Sequence, residues 1–318
     1  MKRILILGAG GQIGSELVPH LRGIYGNDNV IATDVNADKC KHLDGSGPFE
    51  PLNALDGEAF SAIVKRYRVD AIFNLVALLS AAGERDPRLA WNVNIGALTN
   101  SLYIGKDNGC AVFTPSSIGA FGNDTPKDKT PQDTLQRSNT TIYGVCKVAG
   151  ELLGDYYYHR FGVDTRSVRF PGLISHVAMP GGGTTDYAVD IFYAAVRDGA
   201  FTCNVAAGTY MDMMYMPDAL DAVVRLMEAD PARLKHRNSF NIAAMSFDPE
   251  ALAAAIRRHL PAFRLSYDVD PVKQAIADSW PNSMDDTCAR EEWDWAPRYD
   301  LPAMTAEMLD RIREKLAR

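Results

Sequence analysis

Four consecutive apolar residues, Ile4, Leu5, Ile6 and Leu7, open the chain after Lys2 and Arg3, the pattern of a short strand buried on both faces. Comparable runs recur at residues 30–33, 71–77, 111–114 and 163–172, and residues 52–56 read as the end of a further strand. Between them apolar positions fall at helical spacing, at 15–21, at 87–106, and in the stripe Val145, Val148, Leu152 and Leu153. Buried strands alternating with helices predict an α/β fold, a Rossmann-type doubly wound parallel sheet. The last third changes character. A loop from Pro180 to Tyr187 holds three glycines and two threonines, and an amphipathic helix follows at 188–197. The Met-rich run 211–216 reads as core filler ahead of a helix begun by Pro217 and Asp218. A short helix at 249–258, an edge strand at 267–270 and a charged helix at 303–318 complete the pattern. No repeat or long linker intervenes. Residues 1–172 are assigned to the Rossmann domain, its sheet open to completion by later segments, and 173–318 to a smaller, partly interwoven C-terminal α/β lobe.

Composition narrows the class. With 318 residues, 47% of them hydrophobic, the chain is long enough to bury a sizeable core. Its formal net charge of −7 and the absence of a basic run argue against a nucleic acid or an anionic membrane surface as partner. The five cysteines, at 40, 110, 146, 203 and 288, are scattered, with no CxxC and no Cys/His pairing at metal spacing. They predict a reduced, cytoplasmic protein without a structural zinc. The apolar run at the start resembles a signal peptide only superficially, because Gly8 ends it after four residues, and no run reaches membrane-spanning length.

Strand, glycine turn and helix in succession give the context that a phosphate-cradling loop needs. Gly8, Gly11 and Gly14 let the backbone approach a pyrophosphate, with Gln12 and Ile13 between them. The helix that follows offers free N–H groups and its positive dipole end. The spacing is GxxGxxG rather than GxGxxG, and a plain turn is the bland alternative. Asp34 closes the next strand twenty residues after Gly14. A carboxylate there accepts hydrogen bonds from both ribose hydroxyls of NAD and repels the 2′-phosphate of NADP. No arginine follows nearby. NAD is thereby placed at this end of the sheet. Asp56 is expected beside the adenine, or else as an ordinary turn residue, and Leu75 and Ala77 beside the ribose. Asn94 reads as support near the cofactor, and Pro171 ends the sixth strand on the same surface.

Tyr143 and Lys147 are four residues apart and lie on one face of their helix. A tyrosine titrates near pH 10 when unperturbed, too high for a general base at neutral pH, and a neighbouring cation stabilises its phenolate. An ordinary surface pair is the alternative. Ser117, in a turn at the carboxyl end of the fifth strand, is placed to hydrogen-bond a substrate oxygen, and Ser80 lies in a loop at the same edge of the sheet. Taken in order, the glycine loop, Asp34, Ser117 and Tyr143-x-x-x-Lys147 resemble the extended short-chain dehydrogenases/reductases over nearly the whole chain. A narrower resemblance, in residues 115–122, 183–189 and 214–218, is to the metal-independent L-threonine 3-dehydrogenases of that superfamily.

That resemblance implies oxidation of L-threonine at C3 to 2-amino-3-ketobutyrate with NAD, Tyr143 acting as base, Ser117 orienting the hydroxyl and Lys147 holding the nicotinamide ribose. It implies Ser80, Ser117, Tyr143, Thr184, Thr185 and Trp280 around the amino acid, although Thr184 and Thr185 also suit a helix cap. It further implies a homodimer through two helices, with Leu98, Leu102, Leu152 and Tyr156 to Tyr158 as contact surface. Sugar-nucleotide epimerases and dehydratases, the rival relatives, carry an arginine for a nucleotide diphosphate where this chain has Met211. A non-catalytic NAD-binding module is the rival of another class. It predicts relaxed Ser, Tyr and Lys positions, and all three are intact.

Overall fold

Strand β1 (Ile4–Leu7) pairs in parallel with β2 (Val30–Asp34) on one side and β4 (Ala71–Asn74) on the other. In register, Ile4 stands opposite both Val30 and Ala71. Ile4 and Ile6 enter one core, while Leu5 and Leu7 enter another beneath the opposite face. This is why the run is apolar without alternation. With β3 (Phe49–Pro51), β5 (Ala111–Phe113) and β7 (Thr165–Arg166) the sheet has six strands in the order β3-β2-β1-β4-β5-β7. Helices α1 (Gln12–Tyr25), α2 (Gly57–Tyr67), α4 (Pro87–Asn108) and α5 (Ile142–Phe161) flank it, and α3 (Ser80–Gly83) is a single turn at its edge. The structure, a computed structural model, describes residues 1–134, 140–179 and 181–317; Pro180, the first residue of the expected glycine loop, and Arg318, the last of the expected terminal helix, lie outside the described residues.

Three strands depart from the sequence pattern for identifiable reasons. The single strand expected at 163–172 is three: β7, β8 (Val168–Phe170) and β9 (Gly172–Ile174). Ser167 leaves the β5 ladder to donate its N–H to Arg237, and Pro171, with no N–H, cannot continue the next ladder. Each piece has its own partners. β8 lies between β6 (Ser116–Ser117) and β12 (Phe240–Asn241), and β9 runs beside β11 (Met211–Tyr215). The third strand ends at Pro51 instead of running through 52–56, because Asp56 serves as N-cap of α2. The edge strand expected at 267–270 is β14 (Arg264–Tyr267), which pairs with β10 (Ala200–Cys203), and Asp270 caps the next helix.

The remaining elements are α6 (Tyr187–Asp198), α7 (Met216–Glu228), β13 (Met245–Phe247), α8 (Pro249–Arg257), α9 (Pro271–Ser279), α10 (Thr287–Trp293) and α11 (Leu301–Leu316). The Met run works on both sides. Met211 and Met213 fill a second core with Phe192, Phe247 and Met308, whereas Met214 and Met216 fill the first. Residues from α7, β12 and α10 also belong to the first core, so segments on both sides of residue 172 build it. Among the described residues no helix is long and apolar enough to cross a membrane.

One buried ion pair joins these layers. Arg169 on β8 donates Nε and Nη2 to the Glu151 carboxylate of α5, at 2.9 and 2.8 Å, and Nη1 to the Gln132 carbonyl and Asn241 Oδ1. Ser116 Oγ donates to the same carboxylate at 2.5 Å. Arg169→Met, which takes the guanidinium from beside a buried carboxylate, is expected to cost about 3–5 kcal/mol in urea unfolding. Converting Glu151 to Leu in the same chain should recover most of that loss.

Candidate active site

Helix α5 starts one residue before Tyr143. Thr141 caps it by accepting the Gly144 N–H at 3.0 Å, and Glu84 from the α3 turn accepts the Ile142 N–H at 2.7 Å. Tyr143 therefore sits in the first turn and Lys147 one turn on. The Lys147 ammonium lies 5.2 Å from the centre of the Tyr143 ring and donates to the Pro115 carbonyl at 2.6 Å. Two residues on, Ser117 Oγ accepts the Gly119 N–H at 3.1 Å. That leaves the Ser117 hydroxyl proton free to be donated. Gly119 lies flat against the tyrosine: a Cβ there would stand 3.2 Å from Cδ1 and Cε1 of Tyr143. The sequence marked Ser117, Tyr143 and Lys147. Gly119 had no signal beyond its place in a turn.

These three side chains face a cavity of about 150 Å³ that Ser80, Thr184, Thr185 and Trp280 also line. Gln12, Ile13, Leu75, Ala77 and Pro171 border it on the cofactor side. The cap at the start of the glycine-loop turn is Asp186, whose carboxylate accepts the Gly182 and Gly183 N–H groups at 2.8 and 2.7 Å. The threonines do not cap it. Thr184 Oγ1 is buried without a hydrogen-bond partner, an expensive state for a hydroxyl unless a ligand meets it. Thr185 packs over Gly172, where a Cβ would come within 2.8 Å of its Cγ2. Trp280 is a buried wall. Its strap is held by Lys127, which donates to the carbonyls of Asp278 and Trp280, and by Asp212, which accepts the Met284 N–H. Burial pushes the Asp212 carboxyl up to about 8, against the opposing pull of that N–H.

A second cavity, about 400 Å³, opens at the carboxyl edge of β1, β2 and β4, with Gly8, Gly11, Asp34, Leu75 and Ala77 in its wall. Gly8 has φ +82°, and a Cβ on Gly14 would fall 2.2 Å from the Gly8 carbonyl oxygen, so helix and loop touch backbone to backbone. No side chain caps the start of α1, which leaves its N–H groups for an anion. Gln12 Nε2 is a buried donor without a partner. Asp34 accepts the N–H of Gly10 at 2.9 Å and of Asn36 at 2.8 Å, which fixes its carboxylate at the cleft. An uncapped helix end, an unpartnered donor and a fixed acceptor suit a dinucleotide.

One expected contact is not among the cavity walls. Asp56 lines neither cavity, since its carboxylate is engaged with the Ala59 N–H at 3.0 Å, and Leu52 to Leu55 form that wall instead. Asn94 has the supporting place read for it: it accepts the Leu78 N–H at 2.7 Å and donates to the Leu78 carbonyl at 3.1 Å, on the loop that follows β4. No arginine follows Asp34 closely, but Lys39 lines the cleft. The fold also gathers donors that chain spacing hid. His236, Cys288 and Glu292 bring their ligating atoms within 4.8 Å of one another, although no cysteine and histidine lie at metal spacing along the chain.

The NAD dependent epimerase/dehydratase family model matches residues 4–243. An uncharacterized epimerase/dehydratase of Staphylococcus haemolyticus is 56% identical over 315 residues, covering 99% of each chain. An L-threonine dehydrogenase of Clostridium difficile has a solved structure with TM-score 0.97 and 56% identity, over 99% of this chain and 98% of that one. Another, from Cupriavidus necator in its holo form, has TM-score 0.94 and 48% identity, over 98% and 99%. The chain belongs to the NAD dependent epimerase/dehydratase family, with the extended short-chain dehydrogenase/reductase fold and NAD as its cofactor.

With Asp34 at the ribose position, the wild-type enzyme should work far better with NAD than with NADP, and Asp34→Ala should narrow that gap by weakening NAD. Equal kcat/KM for the two cofactors in the wild type would remove Asp34 from that role. Gly119→Ala should lower turnover by displacing the Tyr143 ring, with NAD affinity in fluorescence titration unchanged.

Proposed function

We propose that this NAD-dependent oxidoreductase oxidises L-threonine at C3 to 2-amino-3-ketobutyrate. The observation that carries the reading is the small cavity at Tyr143, into whose wall Thr184 brings an unpartnered hydroxyl. At about 150 Å³ it is smaller than the roughly 300–1,000 Å³ typical of drug-sized ligand sites, and suits an amino acid better than a sugar nucleotide. Met211, at the position where the rival reading wants an arginine, is fully buried in the second core. Its thioether has neither the charge nor the access to meet a diphosphate.

Bound NAD supplies the hydride acceptor. Tyr143 Oη takes the proton of the substrate's 3-hydroxyl, and the Lys147 ammonium, steadied by the Pro115 carbonyl, stands 5.2 Å from the tyrosine ring. Ser117 Oγ, already accepting from Gly119, donates its own proton to the substrate oxygen and orients it. Thr184, Thr185 and Ser80 offer hydroxyls to the charged ends of the amino acid, and Trp280 closes the far wall against water. Bringing Ser117, Tyr143 and Lys147 together at one cavity favours an enzyme over a module that only senses NAD.

We also read the outer faces of α4 and α5 as a homodimer contact. Leu152 and Tyr156 are exposed there, with Tyr103, Val145 and Phe161. Leu98, Leu102 and Tyr157 are not part of it, being buried beneath those helices. A mass of two chains in light scattering supports this contact, and a strictly monomeric mass at working concentration excludes it.

Two substitutions test the chemistry. Tyr143→Phe should cut turnover by roughly 10²-fold or more while NAD still binds; near-normal turnover removes Tyr143 as base. Thr184→Val keeps the shape and deletes the unpartnered hydroxyl, so thermal stability should hold or rise. The KM for threonine should nevertheless increase. If the variant handled threonine as the wild type does, or if the wild type preferred a sugar nucleotide, the threonine pocket would be misassigned.

A further inference from the structure

The cluster of His236, Cys288 and Glu292 lines neither of the cavities around Tyr143 and is not used by the proposed reaction. Cys288 and Glu292 are four residues apart on one face of α10, and His236 comes from the turn ahead of β12. His236 Nδ1 meets Glu292 Oε1 at 2.5 Å, and its Nε2 stands 3.5 Å from Asp133 Oδ2. The scaffold beneath is fixed on both sides. Glu292 Oε2 accepts the N–H groups of Lys235 and His236, at 2.5 and 3.2 Å. Gln132, next to Asp133, donates to the Ser239 carbonyl and accepts the Asn241 N–H, which locks that segment to β12.

We propose that His236, Cys288 and Glu292, with Asp133 beside them, form a binding site for a thiophilic divalent cation, zinc above all. Imidazole, thiolate and carboxylate together make a donor set that zinc favours over the hard, all-oxygen cations. Zinc ligands at about 2.0–2.3 Å in a tetrahedron stand about 3.3–3.7 Å apart, so donors already within 4.8 Å need close by only about 1 Å. Asp133 and His236 Nε2, at 3.5 Å, already have the separation of two such ligands. Charge points the same way. The carboxylates of Glu292, Asp133, Asp285 and Glu291 all act on Cys288, and a cation among them offsets that negative charge. Access is open, since Cys288 is partly exposed while Cys40, Cys110, Cys146 and Cys203 are buried. Binding releases the Cys288 proton to solvent. The ion would staple α10 to the β12 turn and to the segment at Gln132, so its effect is on stability and not on the hydride step.

The test uses the full chain, reduced and stripped by chelation, then titrated with zinc in equilibrium dialysis and with cobalt as a spectroscopic probe. The expected result is one zinc per chain, a higher melting temperature with zinc than without it, and a thiolate-to-cobalt charge-transfer band. Cys288→Ser should abolish that band, and Cys288→Ser and His236→Gln should each weaken zinc binding by at least about 10-fold. Less than one zinc per chain, unchanged affinity in Cys288→Ser, or cobalt bound without the thiolate band would overturn the site. Should a variant fail to fold, the cobalt spectrum and zinc stoichiometry of the wild type decide alone. Threonine oxidation without added metal leaves this result untouched, so the two proposals fail separately.

Discussion

The buried pair of Glu151 and Arg169 holds in place the helix on which the candidate chemistry stands. Tyr143, Lys147 and Glu151 follow one another at four-residue intervals along α5 and so share one face. The first meets the cavity, the second the Pro115 carbonyl, and the third the guanidinium of β8 and the hydroxyl of Ser116. Because Ser116 is also the neighbour of Ser117, one ionic contact fixes both the helix that carries Tyr143 and the strand end that carries Ser117. A charge pair buried this deeply adds little net stability, but breaking it is expensive, and that asymmetry makes it a rigid reference point.

Close backbone approach is the second constraint. Gly14 against Gly8 sets α1 directly on the glycine loop, and Gly119 against the Tyr143 ring sets the turn after Ser117 on the helix. Gly172 does the same beneath Thr185. At each of these places a methyl group would occupy space that backbone or a functional side chain already fills. The cavities keep their dimensions because the layers around them touch without side chains between.

The two lobes are joined through strands rather than a hinge segment. β11 sends Met211 and Met213 into one core and Met214 into the other, and β9 carries the chain from the Rossmann sheet to that strand. A fold of this kind serves many reactions, so the substrate has to be read from the site. Here the small cavity and the orphaned Thr184 hydroxyl favour an amino acid, and the burial of Met211 disfavours a diphosphate.

The sequence by itself determined the parallel sheet, because strands buried on both faces must be apolar throughout and the helices between them periodic. It also determined the dinucleotide loop, Asp34, and the Tyr143 and Lys147 pair, because each of these works through neighbours along one strand, turn or helix. The tertiary structure decided whatever depends on residues far apart in the chain. It split the run at 163–172 among three ladders and made Asp56 a helix cap. It gave the cap before α6 to Asp186 instead of the threonines, and turned Leu98 and Leu102 inward. It also brought His236 to Cys288 across more than fifty residues. Local spacing fixes which face a side chain shares, but hydrogen-bond competition and packing between distant segments choose its partner.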